Sequence, residues 1–174
     1  LVVCLLFQYA GMSFVDFAHL KERNIKNGIL DYNRQKTGTP MRLEILDTAE
    51  LMRKELMGDK KPASGYLFPF LSGTKTGYEA YLEYNAALSR FNRNLKTLKE
   101  VAGITSDVTS YTIRHSFAMA LKEQNVPIEM ISELLGHKSI KTTQIYLRSF
   151  SLEKMTEVNS TCFGCVYNYV SKVG

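Results

Sequence analysis

Cysteine is scarce, and what there is does not form a framework. The chain of 174 residues has three, Cys4, Cys162 and Cys165. An odd number without a secretory context argues against a disulfide scaffold. Cys162 and Cys165 make a lone C-x-x-C with no second pair, so the pair reads as two thiols in a reducing compartment and no metal site is expected. No G-x-x-x-x-G-K-[ST] loop occurs, which excludes the phosphate-cradling loop of nucleotide hydrolases. Long apolar runs are missing too. The opening Leu1-Val-Val-Cys-Leu-Leu-Phe7 is too short to span a bilayer and has no basic flank or initiator Met. It reads as a buried helix inside a longer protein, and no membrane partner is expected. Repeats, low-complexity runs and an interdomain linker are also lacking, so one domain over 1–174 is expected.

What is present suits a packed domain with a polyanionic partner. Hydrophobic residues make up 45%, enough for a core. Lys and Arg number 22 against 17 acidic residues, a net charge of +5 that permits nucleic acid binding without proving it. Helix signals dominate. Leu1 to Tyr9 is helical and Gly11 ends it. Ser13 caps Phe14 to Leu20, with Asp16 near the positive helix end. Asn27-Gly28 marks a hairpin, and Ile29 to Arg34 leads through the Lys36-Thr-Gly-Thr-Pro40 turn into the alternating strand Met41 to Leu46. Lys36 therefore sits at a hairpin tip of a three-stranded antiparallel sheet.

Asp47 or Thr48 is expected to cap a helix to about Met57. Gly58 to Gly65 reads as loop, Tyr66 to Phe70 as a short extended segment, and Ser72 to Gly77 as loop. Tyr78 to Val101 is a long helix with Leu82, Ala86, Phe91, Leu95 and Leu98 on its apolar face. Arg90, Arg93, Lys96 and Lys99 lie away from that face, either solvated or against DNA. Three more helices follow: Thr109 or Ser110 to Gln124, Ile128 to Leu135, and Ile140 to Arg148 with Ser139 as cap. Gly136 is the stop between the last two. Leu152 to about Val158 reads as a short helix. The fold class is mainly α with a small antiparallel β-sheet.

The densest chemistry lies between Tyr111 and Tyr146. Tyr111-Thr-Ile-Arg114-His115 is followed by Leu134-Leu-Gly136-His137, and Tyr146 comes nine residues after His137, preceded by Thr142-Thr143-Gln144-Ile145. This arrangement resembles the signature of the tyrosine recombinases, the phage integrase family, of the type found on bacterial mobile elements. Gly11 to Leu20 resembles the family's first box, and Lys36-Thr37-Gly38 its hairpin lysine.

The resemblance implies the catalytic domain of a DNA breaking-and-rejoining enzyme acting without metal or cofactor, with a separate amino-terminal DNA-binding domain. Tyr146 would be the nucleophile. Arg114 would clamp the scissile phosphate, because a planar, permanently charged guanidinium matches two non-bridging oxygens. His137 would donate to that phosphate or support the tyrosine. Lys36 would protonate the leaving 5′-oxygen. Tyr111 stands where the family has His or Lys, and would reach phosphate through its hydroxyl. His115 and Asp16 would support the site, and His19 would lie on a helix surface. Implied partners are double-stranded DNA, three further copies of the chain on paired sites, and accessory DNA-bending proteins, in a bacterial cytoplasm at the nucleoid. The tail after Phe150 would pack on a neighbouring copy.

One departure matters. The family's first arginine falls at Ser13, or in one branch at Ala10, and neither residue carries a guanidinium. Lys21, Arg23 and Arg34 are the candidates to replace it. Ala10→Arg or Ser13→Arg is expected to raise the cleavage rate, and no gain in either variant would mean that the clamp is already supplied elsewhere. The rival readings are a DNA-binding relative that has lost catalysis, a type IB topoisomerase and a plain helix-turn-helix regulator. The last gives the Arg-His and Gly-His pairs no task.

Overall fold

A computed structural model of the chain describes residues 1–58, 65–147 and 155–156. Helix α1 (Val2–Gln8) buries Leu5 and Leu6, one spiral edge, and leaves Cys4 and Phe7 outward. Fully burying one such leucine contributes about 1.5–3 kcal/mol. The chain then turns on two residues with positive φ, Ala10 (55°) and Gly11 (63°). A Cβ on Gly11 would stand 2.8 Å from the Phe117 ring, so this crossing admits only glycine. Helix α2 (Phe14–His19) starts at Ser13, whose Oγ accepts from the Asp16 amide at 3.5 Å.

A single 3₁₀ turn at Glu22–Asn24 leads into the sheet, β1 (Ile25–Lys26), β2 (Ile29–Asn33) and β3 (Pro40–Glu44). The order is β1-β2-β3, antiparallel throughout, with Ile25 opposite Leu30 and Tyr32 opposite Met41. Asn27 (φ 51°) and Gly28 (φ 74°) are both left-handed, the mirror-image turn that matches strand twist. One face buries Leu30, Tyr32 and Met41; the other faces out.

Helix α3 (Asp47–Met57) begins one residue earlier than a cap at Asp47 or Thr48 requires: Leu46 holds the cap position and gives no side-chain bond. Asp47 instead occupies the first turn, where its charge meets the positive helix end. Residues 59–64, most of the expected loop, lie outside the described part. Tyr66 to Phe70, expected to be extended throughout, is so only at its start. It makes one bridge, Tyr66 to Lys21, and then turns back with Phe70 N–H on the Phe68 carbonyl at 2.9 Å.

Helix α4 (Gly77–Val101) is longer by one residue than expected, and its buried face differs. Ala87, Phe91 and Leu95 are buried, with Tyr84 and Leu88 partly so, whereas Leu82 and Leu98 are about half exposed and Ala86 is exposed. Arg90, Arg93 and Lys96 are exposed, and Lys99 pairs with Asp107 at 3.3 Å.

Three helices complete the described chain: α5 (Ser110–Glu123), α6 (Ile128–Leu134) and α7 (Ile140–Tyr146). Thr109 and Thr112 cap α5 reciprocally. Ser139 takes the cap position of α7 without a side-chain bond. Arg148 and the tail lie outside the described residues, except that Met155 and Thr156 are helical; the expectations for the tail and for Cys162 and Cys165 fall there.

Packing divides into two apolar clusters. The larger joins α1, α2, the sheet, α3 and α4 around Phe17, Phe68, Leu30 and Phe91. The smaller joins α5, α6 and α7 around Ala118, Ile131, Leu135 and Leu147. Among the described residues, no helix is long and apolar enough to cross a membrane. The seam between the clusters is where the charged residues go inward.

Candidate active site

The turn between α6 and α7 fixes the seam. Gly136 (φ 60°) donates to the Glu133 carbonyl at 2.8 Å and His137 N–H donates to the Ser132 carbonyl at 3.0 Å. This double closure ends α6 and points the carbonyls of Leu135 and Gly136 away from the helix. A Cβ on Gly136 would lie 2.5 Å from Met41 Sδ and 2.7 Å from Arg34 Cδ, so the sheet can press against this turn only because the residue is glycine.

Two arginines meet on those carbonyls. Arg114 on α5 is 6% exposed; its Nη1 donates to the Gly11 carbonyl at 2.9 Å and its Nη2 to the Leu135 carbonyl. Arg34, just after β2, is 8% exposed; its Nη1 donates to Leu135 and Gly136 at 3.0 and 3.2 Å. Its Nε lies 3.4 Å from Asp16 Oδ2. Asp16 is buried as well and holds the Gln35 amide at 2.7 Å and the Ser13 hydroxyl at 2.6 Å. The arginines thus staple the two clusters together.

The charges do not cancel. Asp16 faces Arg34, while Arg114 has no carboxylate partner among the described residues. Burial, and then the like charge of Arg34, lower the Arg114 pKa to about 10, still protonated at neutral pH. Arg114 Nε and Arg34 Nη2 carry no hydrogen bond among the described residues. A buried cation left without an anion, with donors to spare, is an anion-binding arrangement.

His137 closes one side. Burial lowers its pKa to about 4, helped by Arg114, Arg34 and Lys36, so its ring is neutral at physiological pH. Its Nδ1 lies 2.9 Å from Thr143 Oγ1. Lys36 is exposed in the β2–β3 loop, close enough for its charge to be felt at His137.

Tyr146 ends α7 inside a box of rings. His115, Tyr111 and His137 meet it edge-on, with centroids 5.2, 5.5 and 5.9 Å away. Its hydroxyl is buried with no hydrogen-bond partner among the described residues. Burial holds its pKa above the ordinary phenol value; Tyr111 lies close enough to raise it further without meeting hydrogen-bond geometry, and Arg114 pulls the other way. The ring also walls an open cleft of about 690 Å³ with Tyr111, His115, Thr142 and Ile145. Tyr111 is 61% exposed at its rim.

The expected residues therefore converge: Arg114, His137, His115, Tyr111 and Tyr146, with Lys36 at the edge and Asp16 behind Arg34. Of the three candidate substitutes for the first arginine, Arg34 is the one in the site. Lys21 lies over the Tyr66 ring, 5.3 Å from its centroid, and Arg23 is exposed. Ala10 is buried in the turn, and Ser13 is occupied with Asp16. His19, expected on the surface, is half-buried between Tyr66 and Tyr84, its Nδ1 2.8 Å from the Val15 carbonyl. In the sequence Thr143 is marked only by its place in the Thr-Thr-Gln-Ile-Tyr run, three residues before Tyr146 on the same helix.

Residues 2–153 match the profile of the phage integrase family. The chain belongs to the phage integrase family. Over 75 residues it is 43% identical to a tyrosine recombinase XerC of Rickettsia typhi, an alignment covering 43% of this chain and 24% of that protein. Over 54 residues it is 50% identical to a tyrosine recombinase XerD of Lacticaseibacillus casei, covering 31% and 18%. The aligned stretch is about a quarter or less of these relatives' length. Among solved structures, XerA recombinase superposes with a TM-score of 0.65 at 22% identity, over 90% of this chain and 54% of that one. The Tn1549 transposon integrase, in complex with a circular intermediate DNA, gives 0.65 at 15%, over 91% and 57%. At these identities the likeness is one of fold. The expected fold class, mainly helical with a small antiparallel sheet, is the fold of this integrase-family chain.

Proposed function

We propose that this chain is the catalytic domain of a site-specific DNA recombinase that cuts and rejoins strands through a 3′-phosphotyrosine at Tyr146. One observation carries the reading: two buried guanidiniums, only one of them faced by a carboxylate among the described residues, converge beside a neutral histidine and a tyrosine. That is a socket for one phosphodiester with a nucleophile at its edge.

In this reading Arg114 and Arg34 hold the non-bridging oxygens, and Arg34 takes the place of the arginine missing at Ser13 or Ala10. Asp16 orients Arg34. His137 and the Tyr111 hydroxyl contact the same phosphate, and His115 supports the Tyr146 ring. Once the phenol has turned out of its box, its proton leaves to water through the cleft and Oη bonds to phosphorus. The bond from phosphorus to the 5′-oxygen breaks, and Lys36 gives that oxygen a proton and regains one from solvent. Rejoining is the reverse, so the phosphotyrosine conserves the bond energy and no nucleotide is needed. The charge at the phosphate comes from the two arginines, which supports chemistry without a metal.

Double-stranded DNA as partner is supported by the family and by structural neighbours described as bound to DNA, among them XerH on its difH substrate and lambda integrase on a core site. Four copies on paired sites, accessory DNA-bending proteins, an amino-terminal DNA-binding domain and action at the bacterial nucleoid complete the proposal. The test is a pool of nicked duplexes with randomised sequence around the nick. Wild-type protein should form a covalent adduct that survives denaturation, and Tyr146→Phe should form none. An adduct persisting in Tyr146→Phe removes the nucleophile; retained DNA binding with no adduct in wild type favours a relative that has lost catalysis.

A further inference from the structure

Thr143 is the buried residue of α7, with 0% of its surface exposed. Its Oγ1 lies 2.9 Å from His137 Nδ1, the one hydrogen-bond partner the hydroxyl has among the described residues. A threonine hydroxyl has one proton to place. In a helix that proton usually goes to a carbonyl one turn back, but here the acceptor in reach is the imidazole nitrogen. Were Nδ1 to carry the ring proton and donate to Oγ1, the hydroxyl proton would be buried without an acceptor, an arrangement native structures avoid. With the hydroxyl donating to Nδ1, both atoms are satisfied. The ring is neutral in its surroundings of Arg114, Arg34 and Lys36 and so holds a single N–H. That proton then resides on Nε2.

We propose that Thr143 is a positioning residue: its hydroxyl donates to His137 Nδ1, holds the Nε2–H tautomer, and makes His137 a hydrogen-bond donor to the phosphate rather than a base for Tyr146. The tautomer rests on the hydrogen-bond geometry together with the neutral state of the ring; its role in cleavage rests on the recombinase reading above. Thr143 acts at one remove, through the ring it orients. The helix that presents the nucleophile thereby also sets the proton on its neighbour.

Two measurements on the full chain test this separately. In ¹⁵N-histidine-labelled protein without DNA, long-range proton–nitrogen spectra should show His137 protonated at Nε2, with Nδ1 as acceptor, in wild type and in Thr143→Ser. A protonated Nδ1 in wild type overturns the proposal whatever the protein does to DNA. In single-turnover adduct formation on the randomised nicked duplexes, Thr143→Val should be slower by about tenfold, the effect of one lost hydrogen bond in the transition state. Thr143→Ser should stay within about twofold by the same reasoning. In a His137→Ala background, Thr143→Val should add nothing further. An equal loss in that background means that Thr143 is only structural and overturns the positioning role. No adduct in wild type defeats the recombinase reading and the catalytic half of this proposal, while the spectra still decide the tautomer. If Thr143→Val does not fold, wild type and Thr143→Ser still decide between the two tautomers.

Discussion

Replacing Arg34 by alanine tests the assembled site where the sequence is most unusual. The substitution removes two charge-assisted bonds, to the Leu135 and Gly136 carbonyls at 3.0 and 3.2 Å, and leaves Asp16 buried without its cation. Breaking a buried ion pair from one side costs about 3–5 kcal/mol. A domain of this size has about 5–15 kcal/mol in hand, so the variant should fold but unfold at markedly lower urea. Asp16 keeps its bonds to Ser13 and Gln35, which places the expected loss toward the lower end. Cleavage should fall by more than stability explains. Loss of one preorganised donor to a developing oxyanion is worth about 2.7–4 kcal/mol, or about 10²–10³ in rate. The assay is single-turnover adduct formation on nicked duplex DNA at a temperature where circular dichroism shows the variant fully folded. Ser13→Arg added to Arg34→Ala should recover part of the rate, and Ser13→Arg alone should gain little because the clamp is already supplied. If folded Arg34→Ala cleaves within about threefold of wild type, far inside the range expected for a lost oxyanion donor, Arg34 is a structural staple and the missing arginine has no substitute there.

Three further outcomes are expected. Gly136→Ala places a Cβ 2.5 Å from Met41 Sδ in a left-handed residue, so urea denaturation should show a loss of about 2–4 kcal/mol, combining overpacking with backbone strain. His137 titrates near 6.5 when unfolded and at about 4 when folded, so the unfolded chain takes up its proton first as pH falls. Its contribution is fully present above the unfolded value and is lost as pH drops toward the folded one. His137→Gln should therefore lose less stability than wild type across that window, as read by urea melts at stepped pH. Tyr111→Phe removes a rim hydroxyl from the phosphate and should slow adduct formation about tenfold with little change in stability; an unchanged rate would leave Tyr111 as only a wall of the Tyr146 box.

The elements set by local chemistry were legible in the sequence. Asn27-Gly28 specified its turn because few residues tolerate two successive left-handed conformations, and Gly136 specified the end of α6 for the same reason. Tyr111, Arg114, His137 and Tyr146 were legible through their spacing. Three readings went astray where several answers fit one pattern. Helix α4 has apolar residues on more than one side, so Leu82 and Leu98 competed with Tyr84 and Leu88 for the inward face, and contact with the α2 region decided it. The start of α3 was displaced because Leu46 can take the cap conformation while Asp47 gains from the helix field. Tyr66 to Phe70 is apolar enough to suit an extended segment, but the Phe68 and Phe70 rings fill the core around Phe17 and the chain turns back after Tyr66. Arg34 was one candidate among three because its task depends on carbonyls about a hundred residues away, which no local pattern encodes.

The most direct test of the account is the chemistry of the attachment itself. Protein trapped on nicked duplex DNA would be digested, and the linked peptide and both DNA ends identified by mass spectrometry and end-labelling. The account predicts a nucleotide joined through its 3′-phosphate to Tyr146, with a free 5′-hydroxyl on the departing strand. Linkage to any other residue, or a 5′-phosphate attached to protein, would contradict it.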